Sequence, residues 1–532
     1  MPASTASQTA IAHGLRNPRL MQAALALHDN RLDEAEPLLK SHLHDDPFDV
    51  AAIRMLAELA ARIGRWRDAE HLLHRALELA PEFGAARANL ATVLYRQNKP
   101  AEAIAELNHL IIDDPDNAGH ANLKAAALGR IGEFDEALQL YEDVLKQAPL
   151  QAKVWMSYGH MLKTVGRTDD GIAAYRRALD IQPHLGEVWW SLANLKTVKF
   201  TPDDVAAMEK ALGGELSDED RFHLDFAIGK ALEDAKDYAG SFTRYAAGNA
   251  LRRKDVDYDA NETAAFVDRS LELFTPDFFS ARSDLGCAAR DPIFVIGLPR
   301  AGSTLIEQIL SSHSQVEGTS ELADIPALVR RGGEYPLHLG ETPLERFREL
   351  GEEYLARTRI QRKTDRPLFI DKLPNNWAHV PFIHLILPKA TIIDARRHPL
   401  ACGFSNFKQH FARGQSFTYD LSDIGRYYAD YVRLMSHIDT VLPGRVHRVI
   451  HERLVEDTEG EVRALLDACG LAFEDATLRF FENDRAVRTA SSEQVRRPIS
   501  RDGADAWQGF EPWLQPLKDA LGPVLDTYPE TP

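Results

Sequence analysis

Between an apolar run, PIFVI, and a helical pattern, IEQILSSH, stands GLPRAGSTL, residues 297–305. Its glycines have the spacing of a phosphate-binding loop. There, backbone N–H groups close around an anion and a helix N-terminus adds its dipole. The lysine that such loops aim at a triphosphate is missing: Ser303 holds its position, and Arg300 offers positive charge from inside the loop instead. The carboxylate expected for magnesium has only Asp394, alone in IIDARR, to represent it. The loop therefore reads as a holder of an anion without a triphosphate tail, handled without metal. Other chemistry-bearing residues have plainer readings. His313 can cap the loop helix at its C-terminal end. Cys402 has no base to make it a nucleophile and reads as core. His42, His44, Asp45 and Asp46 could suggest a metal site, but they sit at the end of a helix. Trp66, Trp155, Trp189 and Trp190 read as packing residues.

Short β-branched runs position this chemistry. Ile293–Ile296, Leu368–Ile370, Thr391–Ile393 and Val446–Ile450 fit strands of a parallel sheet buried on both faces, with helical patterns between them. Ligands of such sheets bind beyond the carboxyl ends of the strands. That rule gathers Gly297–Thr304, Asp371–Asn375 and Arg396–Pro399 around one crevice.

With that setting, PRAGSTL closely resembles the 5′-phosphosulfate loop of sulfotransferases, which use 3′-phosphoadenosine 5′-phosphosulfate (PAPS). The family also carries an arginine after a later strand and a serine eight residues on, both for the 3′-phosphate. RRHPLACGFSNF supplies Arg397 and Ser405 at that spacing. The chain order resembles protein-tyrosine sulfotransferases and bacterial sulfotransferases fused to tetratricopeptide repeats. The tyrosine enzymes place their general base 21 residues after the loop arginine, which is Glu321 here. A lysine after the second strand contacts the sulfuryl or bridging oxygen, and FIDKLPNN supplies Lys372. A C-terminal Ser-x-x-Gln-Val segment, a basic residue before proline and a tryptophan match Ser491, Gln494, Val495, Arg497, Pro498 and Trp507. The resemblance thus implies Glu321, Lys372 and Arg300 as catalytic. It implies Arg300, Ala301, Gly302, Ser303, Thr304, Arg397, Ser405, Ser491, Arg497, Arg501 and Trp507 as nucleotide-binding, with PAPS as co-substrate, PAP as product and no metal. Two departures stand out. Ala506 replaces a lysine before Trp507, with Arg501 as candidate substitute, and Ala323 replaces the basic residue that recognises acidic peptides. Each residue also has a bland reading: Glu321 a solvated carboxylate, Lys372 a surface lysine, Ser405 a plain helix residue. Arg397 could pair with Asp394 or Asp371, leaving Arg396 to compete for its role.

The first third repeats. Pro47, Pro81, Pro115, Pro149 and Pro183 are 34 residues apart, as are Ala35, Ala69, Ala103, Ala137 and Gly171, and Asn30, Gly64, Asn98, Gly132 and Gly166. This is the period of the tetratricopeptide helix–turn–helix unit. Gly or Asn closes the first helix in the left-handed conformation. The small residue lets the two helices approach, and proline ends the second. Leu72, Leu73, Ala76 and Leu77 fall on one face. The period fades after about residue 195, although a helical pair follows in 217–255 and Ala239 keeps the phase. NETAAFVDRSLELFTPDFF looks like the final helix and exit. Stacked repeats make a curved surface that binds peptides or proteins.

The expected architecture is multidomain: an all-α tetratricopeptide solenoid over 17–199, a degenerate repeat or helical bridge over 200–283, and an α/β P-loop-like sulfotransferase domain with a central parallel sheet over 284–532. At 532 residues the chain is too long for one core. A net charge of −18 argues against a general nucleic-acid binder. No secretory signal and no membrane span is expected, and three scattered cysteines, Cys287, Cys402 and Cys469, point to a cytoplasmic protein with reduced thiols. The expected function is sulfuryl transfer to an acceptor hydroxyl, with tyrosine in a protein or peptide as one acceptor and a sugar, lipid or small molecule as another. A non-catalytic nucleotide-binding scaffold is a further alternative, and Ser303 disfavours a P-loop kinase or hydrolase. The repeats would recruit a protein or peptide partner or substrate, or join copies into a homo-oligomer.

Overall fold

The computed structural model describes residues 17–529, except 412, 413, 488, 490, 501, 502 and 504. Two compact units divide the chain after Met161. The first is all helix. Thirteen-residue helices such as Val50–Arg62, Gly84–Arg96 and Ala118–Arg130 alternate with fourteen-residue helices such as Leu32–Asp45, Trp66–Leu79 and Pro100–Asp113. The periodic landmarks do the physical work their types suggest. Asn30, Gly64, Asn98, Gly132 and Gly166 (the last in the second unit) all have positive φ, between 58° and 86°. Ala35, Ala69, Ala103 and Ala137 are fully buried at the helix crossings, and each proline stands two residues past a helix end. Leu73 and Ala76 are in the core, and Leu72, Leu77 and Trp66 pack on its edge. Asp49 caps Val50–Arg62 by accepting from the Ala51 and Ala52 N–H groups. It also holds His42 at 2.8 Å. With Asp46 these two form the one His/Cys/Asp/Glu group spaced for a metal among the described residues, and the cap already accounts for Asp49.

The second unit begins with the end of helix Ala152–Thr164 and continues the repeat through Thr168–Ile181 and Gly186–Asn194. The latter helix has only 9 residues, and its closing left-handed residue is Lys196, φ 64°. Helices Pro202–Leu212, Asp218–Asp234, Tyr238–Lys254, Ala260–Leu273 and Pro276–Ser280 follow. The pair expected in 217–255 is present, but in a shifted phase. Ala239 is exposed, while Ser241 is fully buried and donates to Gly229 O at 2.7 Å. Its left-handed partner is Lys236, five residues earlier, the same offset as in the repeats. Among the described residues no helix is long and apolar enough to cross a membrane.

A five-stranded sheet completes the unit: β1 Pro292–Gly297, β2 Val316–Ser320, β3 Leu368–Lys372, β4 Thr391–Arg396 and β5 His447–Ile450, in the order β2-β3-β1-β4-β5. Every pairing is parallel. β1 is buried throughout and central, as its unbroken apolar run demands. β2 was not foreseen. VEGTS lacks an apolar run because it is an edge strand with its last three residues only half-buried. In a parallel sheet all five carboxyl ends lie along one rim, and that rim carries the site.

Candidate active site

β1 delivers the loop. At Gly297 φ is 132°, and a Cβ there would lie 2.3 Å from Ala395 O on β4, so only glycine lets the chain leave against its neighbour. Arg300 and Gly302 are also left-handed, and a Cβ on Gly302 would meet His451 Nδ1 at 3.0 Å. The Ala301 N–H donates to Leu298 O at 3.2 Å and closes the turn. Helix Ser303–Ser311 then starts. The Ser303 and Thr304 N–H groups lie in its first turn, where no intrahelical acceptor exists. Thr304 Oγ1 is 3.1 Å from Thr489 Oγ1.

The Arg300 guanidinium ties three segments together. Its Nε donates to Ser405 Oγ (3.1 Å), Nη1 to Ser491 Oγ (2.7 Å) and Nη2 to Gln494 Oε1 (3.4 Å). Burial, and then the charge of Arg397, pull its pKa down to about 10. Arg397 follows β4 and donates from Nη1 to Arg300 O (3.2 Å) and from Nη2 to Gly503 O. Its Nε is buried without a hydrogen-bond partner. Arg396 does not compete. It points inward, 2% exposed, and donates to Asp394 and to the Tyr431 hydroxyl. Successive side chains leave a strand end on opposite faces, which separates the two arginines. Asp371 likewise leaves Arg397 alone, accepting from Tyr354 Oη at 2.8 Å.

Two adjoining cavities, of about 390 and about 110 Å³, meet at Lys196, Arg300, Arg397, Gln494 and Gly503. The larger is lined by Gly302, Ser303, Thr304, Ser491 and Arg497 as well. The smaller reaches Ser405 and Trp507, whose ring stacks on His398 at 5.6 Å and 8°. Trp190 also faces it, so one tryptophan expected only to pack borders the site. Arg501 lies outside the described residues. Among the described residues, six Lys or Arg side chains stand around both cavities against Glu233 and Glu493, in a chain whose net charge is −18. Such a concentration of cations suits a polyanion.

Glu321 and Lys372 line neither cavity. Lys372, 1% exposed at the end of β3, donates to Glu321 Oε1, and Glu321 is about half exposed beyond β2. The connection to the loop is Glu307, which sequence reasoning missed. It is 2% exposed on the loop helix, 3.9 Å from Lys372 Nζ and 3.0 Å from Arg485 Nη1. A lone carboxylate inside the apolar stripe of STLIEQILSS was its signal. The same signal is absent for Lys196, which follows a repeat helix. His313 is fully buried past the loop helix, and its Nε2 is 3.0 Å from Ala472 O. Cys402 is core: Sγ approaches Pro299 O at 3.4 Å, and burial pushes its thiol up to about 12.

The sulfotransferase-family model matches residues 292–475, and tetratricopeptide-repeat models match 63–127 and 122–185. An uncharacterized protein of Aquifex aeolicus is 30% identical over 413 residues, 75% of this chain and 54% of its own length. Protein FlbA of Caulobacter vibrioides is 24% identical over 241 residues, 42% of this chain and 39% of its own. Protein-tyrosine sulfotransferase A of Caenorhabditis elegans is 22% identical over 268 residues, 46% of this chain and 69% of its own. The chain therefore spans about half or less of the length of the first two relatives.

Proposed function

We propose that this chain, which carries a sulfotransferase-family domain at residues 292–475 and tetratricopeptide repeats before it, is a PAPS-dependent sulfotransferase acting on an acceptor hydroxyl. One observation carries the reading: the loop after β1 and Arg397 after β4 meet in one cationic cavity, while Lys372 and Glu321 pair at the next strand ends. The cavity residues fit a nucleotide with two separate phosphate groups. The loop N–H groups and Arg300 would take the 5′-phosphosulfate. Arg397, whose Nε lacks a partner, and Ser405 would take the 3′-phosphate.

In this reading Glu321 accepts the acceptor's proton as the hydroxyl oxygen bonds to sulfur. The bond between sulfur and the phosphate oxygen breaks, giving a sulfate ester and PAP. Lys372 and Arg300 meet the charge that grows on the departing phosphate. Lys372 also fixes the Glu321 carboxylate, and Glu307 and Arg485 hold the lysine in turn. The likeness to a protein-tyrosine sulfotransferase supports a tyrosine hydroxyl in a protein or peptide, recruited by the repeats. Ala323 opens the helix Asp324–Arg331 where a basic residue would select acidic peptides, which favours a second acceptor class, a sugar, lipid or small-molecule hydroxyl.

A thermal-shift titration with PAP, against 5′-AMP and ATP with magnesium, tests the proposal. Selective binding raises native stability with ligand concentration. A shift with PAP alone is expected, and an equal or larger shift with ATP and magnesium would overturn the reading.

A further inference from the structure

The repeat-derived helices of the second unit form part of the cavity wall. Helix Gly186–Asn194 has 9 residues where its counterpart Ala152–Thr164 has 13. The left-handed residue that follows it is Lys196, 30 residues after Gly166 and not the 34 of the repeat. The missing turn brings the lysine to the wall shared by the two cavities. Its Nζ lies 3.5 Å from Gln494 Oε1, the oxygen that also accepts from Arg300.

Independent contacts fix this arrangement. The Val487 N–H donates to Thr164 O at 3.0 Å, and Thr168 Oγ1 donates to Glu493 Oε2 at 2.8 Å. The Arg496 guanidinium lies against Gly166, where a Cβ would approach it to 2.8 Å. The segment that offers Ser491 and Gln494 to Arg300 is thus strapped to the repeat turn between Thr164 and Thr168. Lys196 shares this wall with Arg300 and Arg397. Desolvation, then the charges of Arg300 and Lys408, push its pKa well down. An arriving anion relieves that crowding.

We propose that Lys196 is a hydrogen-bond donor to phosphate in the nucleotide site, reaching it from the repeat side alongside Arg300 and Arg397. This rests on the PAPS reading above and makes the last repeat part of the nucleotide pocket as well as a docking module.

The test is calorimetric titration of the full chain, wild type, K196M and K196R, with PAP and with 5′-AMP, which lacks the 3′-phosphate. Methionine keeps the apolar stem and removes the charge. Loss of a charge-assisted hydrogen bond weakens binding by about tenfold or more. K196M is expected to lose that much for PAP, to change little for 5′-AMP, and to be largely rescued in K196R. PAP binding by K196M equal to wild type overturns the proposal. So does an equal loss for both nucleotides, which marks a structural role. Wild type that binds no PAP overturns the functional reading itself, a result distinct from either.

Discussion

In the proposed reaction Glu321 and Arg397 do separable work at its two ends. Glu321 meets Lys372 outside the cavities, so replacing it should leave the nucleotide site intact. E321Q is expected to bind PAP as wild type does and to turn over about 100-fold more slowly or worse, the usual scale of general-base loss. Single-turnover assays with labelled PAPS read this directly, and near-normal turnover would free Glu321 from that role. Arg397 borders both cavities. R397A should weaken PAP far more than adenosine 5′-phosphosulfate, which has no 3′-phosphate, and equal weakening would place the 3′-site elsewhere. These residues were legible because their spacing matches the sulfotransferase pattern that the chain resembles. Glu307 and Lys196 were not, because the groups they lie beside are distant in sequence: Lys372 is 65 residues from Glu307 and Arg300 is 104 from Lys196.

At the next scale, left-handed glycines close helices in both units, but they do not carry the same load. A Cβ on Gly64, φ 78°, meets nothing within 4 Å. G64A should therefore cost only the left-handed penalty, about 1–2 kcal/mol, seen as a lower denaturation midpoint for its unit. Gly166, φ 86°, has the Arg496 guanidinium where its Cβ would go. If the proposed site binds PAP, G166A should show a similar loss of stability and also weaker PAP binding, because Arg496 bonds Thr164 O and Arg485 O beside the segment that meets Arg300. Unchanged PAP affinity in G166A would show that the strap does not reach the cavity. The repeat helices were readable from their 34-residue landmarks. The shortened helix Gly186–Asn194, the shift from Ala239 to Ser241 and the edge strand β2 were not, since each trades local pattern for a tertiary neighbour.

At the scale of the whole molecule, buried neutral histidines contribute to the response to acid. His410 and His223 face each other edge to face, ring centroids 4.7 Å apart, among Phe222, Phe226 and Tyr419. Arg252 stands over the Phe222 and Tyr419 rings. Burial lowers His223 from 6.5 to about 4 and His410 to about 2, the latter also through His223 and Arg252. The unfolded chain binds protons first as pH falls through 6.5, so the stability these rings give is full above that value and is lost progressively toward about 4 and below. The thermal midpoint should drop over this window. H410F, which fills the same aromatic pocket without a titrating group, should flatten the drop, and an unchanged slope would assign the acid response to other groups.

The sequence alone determined the helical repeats, four of the five strands, and the clustering of Arg300, Lys372 and Arg397 at one rim. It could do so because helix period, loop spacing and the rule for parallel strands are local or depend only on chain order. Tertiary structure decided three things. It turned Arg396 inward to Asp394 and left Arg397 to the cavity. It seated Glu307 between Lys372 and Arg485. It brought Lys196 of the last repeat beside Gln494. Burial and charge pairing made those choices, and the local pattern of the chain does not encode which carboxylate each buried cation meets.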